Sequence, residues 1–171
     1  MKYYAGIGAR VTPQEVCDEM TQIATELEKR AFVLRSGGAI GADTAFEKGV
    51  EDSRNSQIFH SLDEYEMRKI YPKWDEAKQI AKNYHPQWSR LGAAGVVHMT
   101  RNVFQVLGSD LSSFSSFLIT WTKDGKASGG TGQAIRIAQH PDYNIPVLNL
   151  KNPAERAQVI NALGLNALNL P

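Results

Sequence analysis

The chain predicts a doubly wound α/β domain with a mainly parallel sheet flanked by helices, and three observations carry that expectation. Short apolar runs alternate with stretches of helical periodicity along most of the sequence. The run 117–122 (Phe-Leu-Ile-Thr-Trp-Thr) is continuously apolar in the manner of a strand buried on both faces of a parallel sheet. Three of the strand-to-helix junctions are rich in glycine: Gly6-Ile7-Gly8-Ala9-Arg10, the segment 36–43 (Ser-Gly-Gly-Ala-Ile-Gly-Ala-Asp), and Ser128-Gly129-Gly130-Thr131-Gly132-Gln133. In an open α/β sheet such junctions lie at the carboxyl edge of the strands, where ligands bind.

Taken in order, residues 3–7 read as a short buried strand. A helix follows to about Arg30, with Thr12 as N-cap, Pro13 at the first helical position and Glu15 completing a capping box. Val11 is expected to staple onto Val16, and Val16, Met20, Ile23, Ala24 and Leu27 form one apolar face. Residues 31–35 read as the second strand, and the second glycine turn leads into a helix over 42–50. A third strand is expected at 57–60. The segment from Ser61 to Leu107 is the least regular, with helices over 74–84 and 97–107 and with Pro72 and Pro86 as punctuation. The strand 117–122 and the third glycine turn precede a helix through Ile135, Ile137 and Ala138. A last strand at 146–150 and a helix around 154–163 complete the pattern, so residues 1–171 are expected to form one domain without repeat or linker.

Composition narrows the functional classes. With 19 basic and 18 acidic residues the net charge is +1, which gives no electrostatic footprint for sequence-independent binding to nucleic acid. A nucleic-acid partner is therefore disfavoured, though a local basic patch is compatible with the sequence. Cys17 is the only cysteine, which excludes an intrachain disulfide and fits a reducing compartment. No stretch approaches the ~18 apolar residues of a membrane span, and the first residues read as strand rather than signal peptide. A cytoplasmic location is expected.

Glycine at a strand-to-helix turn permits left-handed backbone and lets a ligand approach the main chain, and the following helix aims free N–H groups at the gap. The third turn is the strongest phosphate-cradle candidate, with Gly129, Gly130 and Gly132 for access and Ser128, Thr131 and Gln133 for polar contact. In the second turn Ser36, Gly37 and Gly38 are candidate lining residues. Asp43 either meets the helix dipole or grips a ribose hydroxyl or a water. In the first turn Gly6, Gly8 and Arg10 serve either the turn itself or the ligand. Arg101-Asn102 reads as the start of a helix, the arginine suited to phosphate and the asparagine to a cap or a base. Lys126 reads as part of a solvated turn. The first turn is G-x-G without the third glycine, and the second strand ends without an acidic residue, both against an NAD dehydrogenase. No G-x-x-x-x-G-K-[ST] sequence is present, which rules out a P-loop NTPase. His60, His85, His98 and His140 show no metal-ligand spacing, so neither a metal nor another cofactor is expected. Trp74, Trp88 and Trp121 read as packing residues.

The glycine-arginine first turn, the S-G-x-x-x-G-x-D pattern of residues 36–43 and the Arg101-Asn102 pair together resemble the Rossmann-like domain of the DNA-processing protein DprA. They also resemble the wider SLOG superfamily that includes the Lonely Guy phosphoribohydrolases. The likeness runs from Tyr3 to about Leu150 and is thin between Ser53 and Gly95. Met99-Thr100-Arg101-Asn102 is similar to the M-x-x-R segment of those hydrolases. Their P-G-G-x-G-T-x-x-E motif, however, meets Ser128-Gly129-Gly130-Thr131-Gly132-Gln133-Ala134-Ile135-Arg136, with no proline before the glycines and no acid at its end. The resemblance implies a retained phosphate cradle without the family's catalytic glutamate, unless Asp43 or Glu47 takes its place. The expectation is a small protein that senses or sequesters a phosphorylated nucleoside or an ADP-ribose-like ligand. Nucleotide N-glycosidic hydrolysis and DprA-like single-strand binding are the alternatives. The superfamily also implies possible homo-oligomers.

Overall fold

The computed structural model describes residues 1–165. Five parallel strands form one sheet in the order β3-β2-β1-β4-β5, the doubly wound arrangement expected from the alternation of elements. The strands are β1 (Lys2–Gly8), β2 (Phe32–Ser36), β3 (Ser56–Ile58), β4 (Leu118–Trp121) and β5 (Val147–Asn149). Helices α1 (Gln14–Lys29), α2 (Ala42–Lys48) and α7 (Pro153–Leu163) pack their apolar residues against one face of the sheet. Helices α4 (Trp74–Tyr84), α5 (Ala93–Leu107) and α6 (Gly129–Gln139) cover the other, with Met67 of the short α3 (Glu64–Ile70) buried among them.

The chain order changes direction at β1, whose neighbours are β2 and β4. Strand β1 pairs with β4 up to Gly8 opposite Trp121, so the turns after both strands open side by side. That gap is the topological switch point at which open sheets bind ligands.

Three local expectations are corrected. Helix α1 begins at Gln14 after Pro13, and Thr12 does not cap it; the Thr12 hydroxyl donates back to the Ala9 carbonyl at 2.7 Å and closes the first turn. Val11 is 70% exposed, so it makes no staple. Helix α5 starts at Ala93, which places Arg101 and Asn102 inside the helix rather than at its start. The early turn consists of Ala93, Ala94 and Gly95, whose small side chains carry no apolar periodicity. Helix α3 was not expected; it is seven residues long and buries Met67 alone. Its signal is the Asp63 N-cap, which accepts from the Glu66 N–H at 3.1 Å. Trp74 and Trp121 lie in the two cores, as packing residues do. Among the described residues no helix is long and apolar enough to cross a membrane.

Candidate functional site

A cavity of about 390 Å³ occupies the switch point. Its wall comes from the turn after β1 (Gly8, Arg10), from Asp43 of α2, from the segment after β4 (Thr122, Lys123), from the first turn of α6, and from α5. The volume lies within the ~300–1,000 Å³ of small-molecule sites.

The first turn of α6 is bare. Ser128 occupies the N-cap position yet makes no cap, because its hydroxyl donates to Asp124 Oδ1 at 2.6 Å instead. The N–H groups of Gly129, Gly130 and Thr131 meet no acceptor among the described residues, and the first N–H bonded within the helix is that of Gly132, to Ser128. A Cβ at Gly129, where φ is +63°, would meet nothing within 4 Å, and one at Gly130 would meet only the flexible end of Met99 at 3.3 Å. These orphan donors and the positive end of the α6 dipole face the cavity together.

At the other glycines of the three turns the space of a Cβ is taken by the protein itself. A Cβ at Gly6 would strike the Phe46 ring at 2.6 Å, so Gly6 lets α2 settle on the sheet. At Gly8 it would meet Ala42 at 2.7 Å, and at Gly41 the carbonyls of Ala9 and Arg10 at 2.7 Å, so the first two turns pack on each other. Gly37 gives way to the Arg101 guanidinium, and Gly38 (φ +68°) to the His60 ring. Gly132 faces the Ala127 carbonyl at 2.5 Å, away from the cavity. Gln133 is fully buried, donating to the Ala81 carbonyl at 3.0 Å. Of the sequence candidates, Gly8, Arg10, Asp43, Arg101, Asn102, Ser128, Gly129, Gly130 and Thr131 line the cavity; Gly6, Ser36, Gly37, Gly38, Gly132 and Gln133 do not.

Behind the cavity runs a buried polar chain that joins the second turn to the third. Asp43 accepts from the N–H groups of Gly8 (3.2 Å) and Gly37 (3.1 Å) and lies 3.9 Å from Arg101 Nη1. Burial raises its carboxyl to about 6, opposed by Arg101 and those N–H groups. With its amide oriented to match its neighbours, Gln105 accepts from Arg101 Nη1 at 2.9 Å and donates to Asn102 Oδ1 at 3.1 Å. Asn102 Nδ2 in turn donates to the Gly130 carbonyl at 3.3 Å, steadying the bare turn from behind. Glu47 sits off the cavity; it accepts from the Ser36 hydroxyl (2.6 Å) and the Gly38 N–H (3.0 Å) and shapes the second turn.

Arg101 also donates to His98 Nε2 at 3.0 Å, which fixes the proton of that ring on Nδ1, facing Ser61 Oγ at 3.0 Å. Burial, then Arg101 and Arg10, lower His98 to about 4, so the ring is neutral near pH 7. In this arrangement His98 has no lone pair for the Ser61 proton, and the pair is not a serine nucleophile with its base. The fixed charges on the cavity wall are therefore Arg10, Arg101 and Lys123 against Asp43. Arg10 and Lys123 are exposed. The wall favours an anion.

Among the polar lining residues, Thr122, Lys123, His98 and Gln105 were not proposed as site residues from the sequence. Lys123 was legible, since it follows β4 directly and the carboxyl end of a central strand is where such residues act. His98 and Gln105 lie three residues before and four after Arg101, one helical turn to either side. Among the described residues no group of three or more His, Cys, Asp or Glu side chains is placed to hold a metal ion. Compared with protein-family models, curated proteins and solved structures, the chain matches none.

Proposed function

We propose that this protein binds a phosphorylated nucleoside, or a molecule built on one, and acts by sensing or sequestering it. The observation that carries the reading is the uncapped first turn of α6, with free N–H groups and bare Gly129 and Gly130, opening on a wall of three cations. Phosphate satisfies such donors directly, and the dipole adds to the attraction. The strand order and the cavity at the switch point also support kinship with the DprA and Lonely Guy superfamily, which we offer as part of the same proposal.

The test is mass spectrometry of the purified protein with mononucleotides, NAD and ADP-ribose, before and after denaturation. A ligand withdrawn from the free pool and released intact is the expected result. Gly130→Val should abolish that capture with the fold intact, because a Cβ there meets only the flexible end of Met99, while a branched side chain crowds the bare turn that a phosphate must approach. Undiminished capture by the variant would remove the phosphate assignment.

A second reading rests on Asp43, a carboxylate on the cavity wall whose affinity for protons is raised toward neutrality. A group of that kind suits general acid–base work on an N-glycosidic bond. Release of free base by the wild type, lost in Asp43→Asn, would favour hydrolysis over capture.

A further inference from the structure

A second cleft, of about 370 Å³, lies beside the first and shares Arg10, Ala39 and His98 with it. Its remaining wall includes Gly38, Ile40, His60 and Ser61. Ile40, a large apolar residue, is 69% exposed and lines this cleft. Ser61 Oγ accepts from Arg101 Nε at 3.3 Å and from the protonated Nδ1 of His98, which leaves its own hydrogen to donate. Arg10, common to both clefts, makes no hydrogen bond or ion pair among the described residues and is free to meet a ligand.

The distribution of chemistry differs between the two. The first cleft holds the orphan N–H groups, Arg101 and Lys123. The second offers an apolar cover, a hydroxyl donor and imidazole edges, which match the face and edge of a ring system rather than another phosphate. The cation Arg10 stands on the wall they share.

We infer that the two clefts hold one two-lobed ligand of the dinucleotide class, its pyrophosphate bridge under Arg10 and its second ring system against Ile40 and Ser61. The inference rests on the nucleotide reading above and narrows it to a molecule with two ring-bearing halves. Gly38 contributes by letting His60 close against the backbone, and both belong to the wall of the second cleft.

Calorimetric titration of the full chain with AMP, ADP and ADP-ribose tests this, on the wild type and on Ile40→Ser. Ile40 is exposed, so the substitution leaves the packing untouched and adds no charge. ADP-ribose should bind at least tenfold more tightly than AMP or ADP. Ile40→Ser should lower the ADP-ribose affinity fivefold or more and leave that of AMP within twofold. Equal affinity for AMP and ADP-ribose, unmoved by Ile40→Ser, would overturn the second lobe while leaving the phosphate site standing. ADP binding as tightly as ADP-ribose would also overturn it, because the second phosphate alone would then account for the gain. Binding of none of the three would bring down the nucleotide reading and this inference with it.

Discussion

The guanidinium of Arg101 fills the space in which a side chain at position 37 would begin, and the phenyl ring of Phe46 does the same at position 6. A glycine kept for a ligand and a glycine kept for a neighbouring side chain look alike in a sequence, since both positions only need the absence of a Cβ. Glycine density thus marked all three turns as candidates, and only packing separates Gly129 and Gly130 from the rest. Asp43 was ambiguous for a related reason. The sequence offered the helix dipole or a ligand, and the group, on the cavity wall, also ties two turns together through the Gly8 and Gly37 N–H groups. That role has a pH signature. The folded carboxyl titrates at about 6, above the ~3.9 of an unfolded aspartate. The stability it contributes is fully present below about pH 4 and is lost as pH rises through 6, on the order of 3 kcal/mol at completion. Asp43→Asn has no such titration, so the stability of the wild type relative to the variant, read from urea unfolding, should fall from pH 4 to pH 7. A difference independent of pH would mean that burial does not govern this carboxyl.

At the scale of elements, helical periodicity located α1 and α4 because each has an apolar face and a solvated one. For α5 it found residues 97–107 and the burial of Val103, Val106 and Leu107, but not the first turn, and it did not reveal that Arg101, Asn102 and Gln105 are buried beside them. Those polar residues are buried because they link the glycine turns, a purpose that no period reveals. Contacts distant in sequence were equally out of reach. Glu19 of α1 is 1% exposed and receives two bonds from Arg156 Nε of α7, at 3.0 and 2.9 Å, across 137 residues of chain. Removing one partner of a buried pair leaves the other charge stranded. Arg156 is about one-third exposed, which softens the effect. Arg156→Ala should cost about 1–3 kcal/mol by urea unfolding. Adding Glu19→Gln to that variant should restore part of the loss, because the neutral amide costs less to bury than the carboxylate. No recovery would assign the loss to the packing of the arginine stem.

On the scale of the whole molecule the charges nearly cancel, at +1 overall, while the cavity wall carries three cations against one carboxylate. The fold concentrates what the composition dilutes: residues 10, 101 and 123 belong to three separate segments and meet only because β1 and β4 are neighbours. The pattern of strands and helices therefore conveyed the place of the site, and the composition concealed its sign. This arrangement makes a distinct demand on salt dependence. A protein with a broad basic face attracts polyanions over many ångströms, and its binding falls steeply with salt. Here the field away from the cleft is weak, so lowering ionic strength from about 0.1 M to about 0.01 M, which lengthens screening from ~10 to ~30 Å, should hardly change ADP affinity. Raising it to about 1 M, where screening falls to ~3 Å, should weaken ADP binding because Arg10 and Lys123 are exposed to the added ions. Uncharged adenosine should respond to neither change. A steep rise in affinity for single-stranded oligonucleotides between 0.1 and 0.01 M would reverse the assignment, since it requires an extended basic surface and would favour a nucleic-acid partner over a small anionic ligand.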